Sequence, residues 1–155
     1  MSLKSRILRI CFAASLLLVL PMTGRAQVSS TPNEKVVQRL MTELFINRNF
    51  AAAAPYFGDP YIQHNPTIVD GHGSLGGIIK ALPPTFKYEP GFIAGHGDIV
   101  MIHGRYTGWG PKPMDVVDIF RVKNGKVVEH WDVMQDEVPA NQTKSGHPMF
   151  TPGER

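Results

Sequence analysis

Cysteine is almost missing: among 155 residues only Cys11 is one. It lies inside an apolar stretch near the start, without the small residues before it or the cleavage signal that a lipid-anchored cysteine needs. Once that stretch is removed, disulfides, a catalytic cysteine and a thiolate metal site are all excluded. The apolar run itself, Ile10 to Leu20, is about eleven residues, short of the roughly 20 that span a bilayer. Basic runs are missing too, which removes nucleic acid as an expected partner. No repeat, low-complexity tract or internal linker divides the chain.

What the N-terminus does have is a short basic segment, Lys4, Arg6 and Arg9, then the apolar run, Pro21, and Gly24-Arg25-Ala26. Small residues at −3 and −1 suit signal peptidase, so residues 1–26 are expected to be a signal peptide cut after Ala26, with the product periplasmic or secreted and without a stable membrane anchor. Lys4, Arg6, Arg9 and Arg25 leave with it, so sixteen Lys and Arg residues fall to twelve against thirteen Asp and Glu, and the formal charge changes from +3 to −1. About 129 residues remain, one domain's worth, long enough to bury a core. Residues 27–138 are read as that domain and 139–155, rich in proline and glycine, as an extended tail that is ordered only if it docks.

The domain reads as α+β, helical first and strand-rich second. Thr31-Pro32-Asn33-Glu34 is a capping box with proline in the first turn, and Val37, Leu40, Met41, Leu44 and Phe45 follow at helical spacing. A helix is expected over about 32–47, a short one over 50–57, and a third over 74–82, with a loop containing Tyr61-Ile62-Gln63-His64-Asn65-Pro66 before it. Segments 87–94, 99–107, 114–122 and 127–135 are rich in β-branched and aromatic residues and bounded by turn formers. They are expected to make an antiparallel meander with three helices on one face.

Charged residues inside strands single out His103, Arg105, Asp118, His130 and Asp132, because burying charge is costly. Strand alternation groups His103 with Arg105 and His130 with Asp132. The place of Asp118 depends on the hairpin at Lys123-Asn124-Gly125-Lys126. A two-residue Asn124-Gly125 turn, which that dipeptide favours, pairs Val122 with Val127 and sets Asp118 opposite Trp131. A three-residue loop pairs Val122 with Lys126 and Asp118 with His130, gathering Asp118, His130 and Asp132 with Phe120 and Val128 on one face. The second register is preferred, since an apolar surface with clustered polar groups describes a ligand pocket.

His64-Asn65-Pro66, Asp70-Gly71, Val117-Asp118-Ile119-Phe120-Arg121-Val122, Asn124-Gly125-Lys126 and Glu129-His130-Trp131-Asp132 together resemble the SnoaL-like polyketide cyclase family of the nuclear transport factor 2-like superfamily. The resemblance runs from about Glu34 to Gln135. It implies a cone: a curved sheet around an apolar pocket closed by N-terminal helices, commonly a homodimer through the sheet, with no cofactor. It also implies an acid/base aspartate in the last strands, which Asp132 matches.

The expected site follows. Asp132 is the proton-transferring group, His130 and Asp118 orient it or form their own Asp-His pair, and His64 reaches over the pocket mouth to a substrate oxygen. His103 and Arg105 are candidates for stabilising an enolate. Phe120 and Trp131 are candidates for a substrate wall, or for packing and dimer contact. No metal-ligand spacing such as His-x-His is present, so no metal is expected. The expected ligand is a small, largely apolar carbonyl compound, and the expected reaction is that of a cofactor-independent lyase or isomerase. A non-catalytic binding or dimerisation module is the rival.

Overall fold

The computed structural model describes residues 30–153; the signal-peptide segment expected at residues 1–26 lies outside them. Helix α1 (Pro32–Met41) starts as its sequence dictates. The Thr31 hydroxyl accepts a hydrogen bond from the Glu34 amide at 3.2 Å, and the Glu34 carboxylate accepts one from the Thr31 amide at 2.8 Å. Val37, Leu40 and Met41 form its buried stripe. The expected helix to Asn47 is completed by a π-helical turn over Thr42–Ile46, closed by the Asn47 amide donating to the Thr42 carbonyl. Wide turns of this kind recur at functional sites, and here the turn carries Leu44 and Phe45 into a cavity wall.

Helix α2 (Phe50–Ala53) is capped by the Asn49 side chain and gives way to a 3-10 turn at Ala54–Tyr56. Phe57 was expected to end a helix. It begins strand β1 (Phe57–Gln63), which the sequence reading missed because Gly58 and Pro60 are poor strand formers. Helix α3 (Gly73–Ala81) and strands β2 (Lys87–His96), β3 (Ile99–Thr107), β4 (Met114–Lys123) and β5 (Lys126–Asp136) follow. The sheet order is β1-β5-β4-β3-β2. The last four strands form the expected antiparallel meander, while β1 adds a parallel edge beside β5. The sheet is thus five-stranded, mixed and open, and α1 packs across β2 to β5.

The β4–β5 hairpin corrects both registers weighed from the sequence. Asn124 (φ 50°) and Gly125 (φ 71°) are left-handed, as a tight two-residue turn requires, and Val122 pairs with Val127. The preferred three-residue loop does not form. The pairing then slips between Val122 and Arg121, which faces Glu129, so that Val128 is a one-residue bulge. Beyond it Phe120 pairs with His130 and Asp118 with Asp132. The bulge lets Val127 and His130 both point inward, as their burial shows. Asp118, Phe120, His130 and Asp132 therefore share the inner face after all, although Val128 does not join them.

The tail docks. Phe150 is buried against the His103 ring at 5.5 Å between centroids, and the Gly153 amide donates to the Pro90 carbonyl. Glycine is needed opposite it: a Cβ at Gly91 would lie 3.0 Å from both the His103 carbonyl oxygen and the Phe150 ring.

Candidate functional site

Between the helices and the inner face of the sheet lies a cavity with about 560 Å³ between its walls, mouth included. It is narrow: only about 40 Å³ of it admits the centre of a water molecule. By that measure it holds a few waters, and a larger ligand needs side chains to move apart. The walls are apolar and come from α1, the π-turn, α3 and the sheet, with Phe45, Ile79 and Phe120 among them. Polar groups are confined to one patch made by β1, β3, β4 and β5.

In that patch every polar side chain is directed by another. Asn65, just past β1, accepts from the Thr67 amide and hydroxyl on its oxygen, which turns its Nδ2 to donate to Asp132 Oδ2 at 2.6 Å. Asp132 is thus held by one oxygen, and its other oxygen has no partner among the described residues. Directly across the strands, Asp118 accepts from the Tyr106 hydroxyl at 2.8 Å on one oxygen and meets His130 Nε2 at 3.1 Å with the other. His130 Nδ1 lies 2.8 Å from Gln63 Oε1. Asp118, His130 and Asn65 are buried.

Burial, and next the Asp118 charge, pushes the Tyr61 and Tyr106 hydroxyls well above the ordinary phenol range, so both are neutral donors. Tyr61 accepts a 3.4 Å contact from Gln63 Nε2, and its own proton has no acceptor among the described residues. It lines the cavity and can donate to a ligand oxygen there. Donor atoms of Asp118, His130 and Asp132 lie within 4.8 Å of one another. His130 Nε2 and the facing Asp118 oxygen are already engaged with each other, so nearness alone does not make a metal centre, and we assign none.

The SnoaL-like domain profile matches residues 37–130, which contain most of this architecture. The chain belongs to the SnoaL-like family. Solved structures similar to this SnoaL-like domain include a Bacillus cereus protein assigned to the polyketide cyclases (19% identity, 68% of this chain and 75% of that one, TM-score 0.58). A Kribbella flavida protein assigned to the ketosteroid isomerases is another (12%, 79% and 92%, TM-score 0.60). A third is an LEH-like epoxide hydrolase of M. tuberculosis (18%, 68% and 84%, TM-score 0.54). At such identities the likeness concerns the fold. Among curated proteins no sequence matches the chain.

Of the eight expected site residues, the SnoaL-like domain brings Asp132, His130, Asp118 and Phe120 to the cavity and puts the other four elsewhere. His64 was expected over the pocket mouth. Its ring instead stacks on Trp131 at 4.8 Å and meets Glu129 at 2.9 Å on the outer face of the sheet. Trp131 lies there because it alternates with His130, and Arg121 approaches its ring at 5.6 Å. His103 meets Asp115 at 2.7 Å, and Arg105 bonds Glu137 at 2.6 Å and Glu89 at 3.4 Å, again outside. Neither faces a position where an enolate could form. Conversely, Tyr61, Gln63 and Tyr106 are cavity residues that the sequence reading did not select. The signal is there: Tyr61, Gln63 and Asn65 alternate with Ile62 and His64, a strand period inside a segment expected to be a loop.

Proposed function

We propose that the protein is an exported, cofactor-independent acid/base enzyme, an isomerase or lyase acting on a small, largely apolar carbonyl compound. The observation that carries this reading is the free oxygen of Asp132 at the polar end of an apolar cavity, its fellow oxygen fixed by Asn65. A carboxylate placed so can take a proton from the carbon next to a carbonyl. The electron pair moves onto the carbonyl oxygen, toward which the neutral Tyr61 hydroxyl donates a hydrogen bond. Returning the proton to another carbon completes an isomerisation. Attack of the enol carbon on a second carbonyl completes an aldol closure.

The test uses a trapped small ketone and deuterated water. Wild type should exchange the ketone's α-protons, and Asp132→Asn, which keeps the shape, should slow exchange by roughly 10²-fold or more while remaining folded. Equal rates with equal binding would leave a binding protein.

Export rests on the N-terminal pattern, and N-terminal sequencing of exported protein should begin at Gln27. Homodimerisation rests on the outer sheet face, where Ile62, Met101 and Val133 expose 43%, 44% and 66% of their surface beside Val117, Ile119 and Trp131.

A further inference from the structure

We propose that Asp118 and His130 together hold one buried proton, that Gln63 keeps it there, and that this pair is the acid of the site opposite the Asp132 base. The argument starts from the Gln63 amide. Its Oε1 accepts from the Asn65 backbone N–H at 2.9 Å, and a flipped amide would set an NH₂ group against that N–H. The oxygen is therefore the atom that faces His130 Nδ1 at 2.8 Å, and an oxygen with lone pairs requires Nδ1 to carry a proton.

The consequence falls on the other ring nitrogen. Nε2 of a neutral ring protonated at Nδ1 has only a lone pair, and it faces Asp118 Oδ1 at 3.1 Å. Two lone pairs at that distance repel in a site where both residues are buried. One proton between them removes the conflict, whether it is written as imidazolium with carboxylate or as imidazole with carboxylic acid. Tyr106 donates to the other oxygen of Asp118 and so adds no acceptor. Asp132, directly across from Asp118, supplies a second reason, because two bare carboxylates opposed across a ladder repel.

The role of this proton rests on the proposed reaction, whereas its existence does not. Asp118 and His130 line the same cavity as Asp132. When Asp132 takes the carbon-bound proton, the C–H electron pair moves to the carbonyl oxygen. That oxygen receives the proton of the pair, giving a neutral enol, a protonated Asp132 and a pair with one negative charge. Total charge is unchanged, and the reverse transfers restore the site. Gln63 is a positioning residue: its amide oxygen is taken up by the Asn65 N–H and His130 Nδ1, and it acts by fixing which nitrogen of His130 is protonated.

The experiment is long-range ¹H–¹⁵N NMR of the full chain labelled in its histidines, at pH 7, with His130 identified from the His130→Asn spectrum. In wild type the Nδ1 of His130 should show the shift of a protonated nitrogen. In Gln63→Leu the acceptor is gone, and His130 should become a neutral ring protonated at Nε2 alone, one proton fewer. Gln63→Glu keeps an acceptor oxygen and should restore the wild-type pattern. A wild-type His130 that is neutral and bare at Nδ1 would overturn the proposal, as would a folded Gln63→Leu with an unchanged spectrum. Should Gln63→Leu not fold, the wild-type spectrum with Gln63→Met decides in the same way. α-Proton exchange should slow roughly 10²-fold in Gln63→Leu and recover in Gln63→Glu. If the spectra behave as stated but Asp132→Asn exchanges normally, the shared proton stands and the proposed reaction falls.

Discussion

The two faces of one sheet carry the same chemical pair in opposite settings. On the inner face His130 meets Asp118 at 3.1 Å, with both buried beside a cavity. On the outer face His103 meets Asp115 at 2.7 Å and His64 meets Glu129 at 2.9 Å, partly in water and away from the cavity. Imidazole and carboxylate are thus no signature of a site by themselves. What distinguishes the inner pair is that its own remaining atoms are committed, Asp118 Oδ2 to Tyr106 and His130 Nδ1 to Gln63, whose oxygen the Asn65 amide holds in turn. The outer His64–Glu129 pair belongs instead to an open ionic chain, Asp98–Arg121–Glu129–His64.

The sharpest way to break this comparison is to delete the carboxylate on each face. Asp118→Ala leaves His130 and Tyr106 buried without their partner and should cost about 3–5 kcal/mol, the range for removing one member of a buried pair. Asp115→Ala removes a partner that keeps 14% of its side chain exposed on the outer face, where water can still reach His103, and should cost less, about 1–2 kcal/mol. Urea unfolding of the two variants measures the difference. Equal losses would mean that the faces are energetically alike.

A second contrast concerns association. Val133→Glu puts a charge on the exposed apolar outer face without touching the cavity, so it should convert the proposed dimer to monomer, halving the mass seen by light scattering at micromolar concentration. α-Proton exchange should survive that change. A wild type that is itself strictly monomeric would remove the dimer, and a variant that stays dimeric would place the interface elsewhere.

Much of this arrangement was legible in the sequence, and the failures share one cause. Helix α1 and the four-strand meander follow from capping, periodicity and turn residues. His64, His103, Arg105 and Trp131 were assigned to the site by residue type, although strand alternation gives each a fixed face once the strand and its register are known. For His64 the strand was not known, because Gly58 and Pro60 disguised β1. For the hairpin, Asn124-Gly125 correctly signals its tight turn, but the bulge at Val128 that realigns β5 leaves no mark in turn chemistry. Two errors, the loop length and the missing bulge, cancelled for the inner face.

The smallest expected effect is the pH dependence of the outer network. The hydrogen bond from Arg121, and after it the one from His64, holds the Glu129 carboxyl below its ordinary value of 4.5. A carboxyl depressed on folding stabilises the fold above its unfolded-state value, and that contribution fades as pH falls through the lowered folded value. Wild type should therefore melt above Glu129→Gln at pH 6 to 7, by no more than about 4 °C because the pair is solvent-screened. The gap should shrink as pH drops below about 4.5, where the unfolded chain binds the proton first. Raising salt at pH 7 should narrow it as well, since exposed charges are screened. The inner pair lies out of reach of salt, so the stability lost in Asp118→Ala should stay nearly constant across the same salt series. A Glu129 gap that widens toward low pH, or an Asp118 loss that follows salt as the Glu129 gap does, would erase the distinction between the two faces.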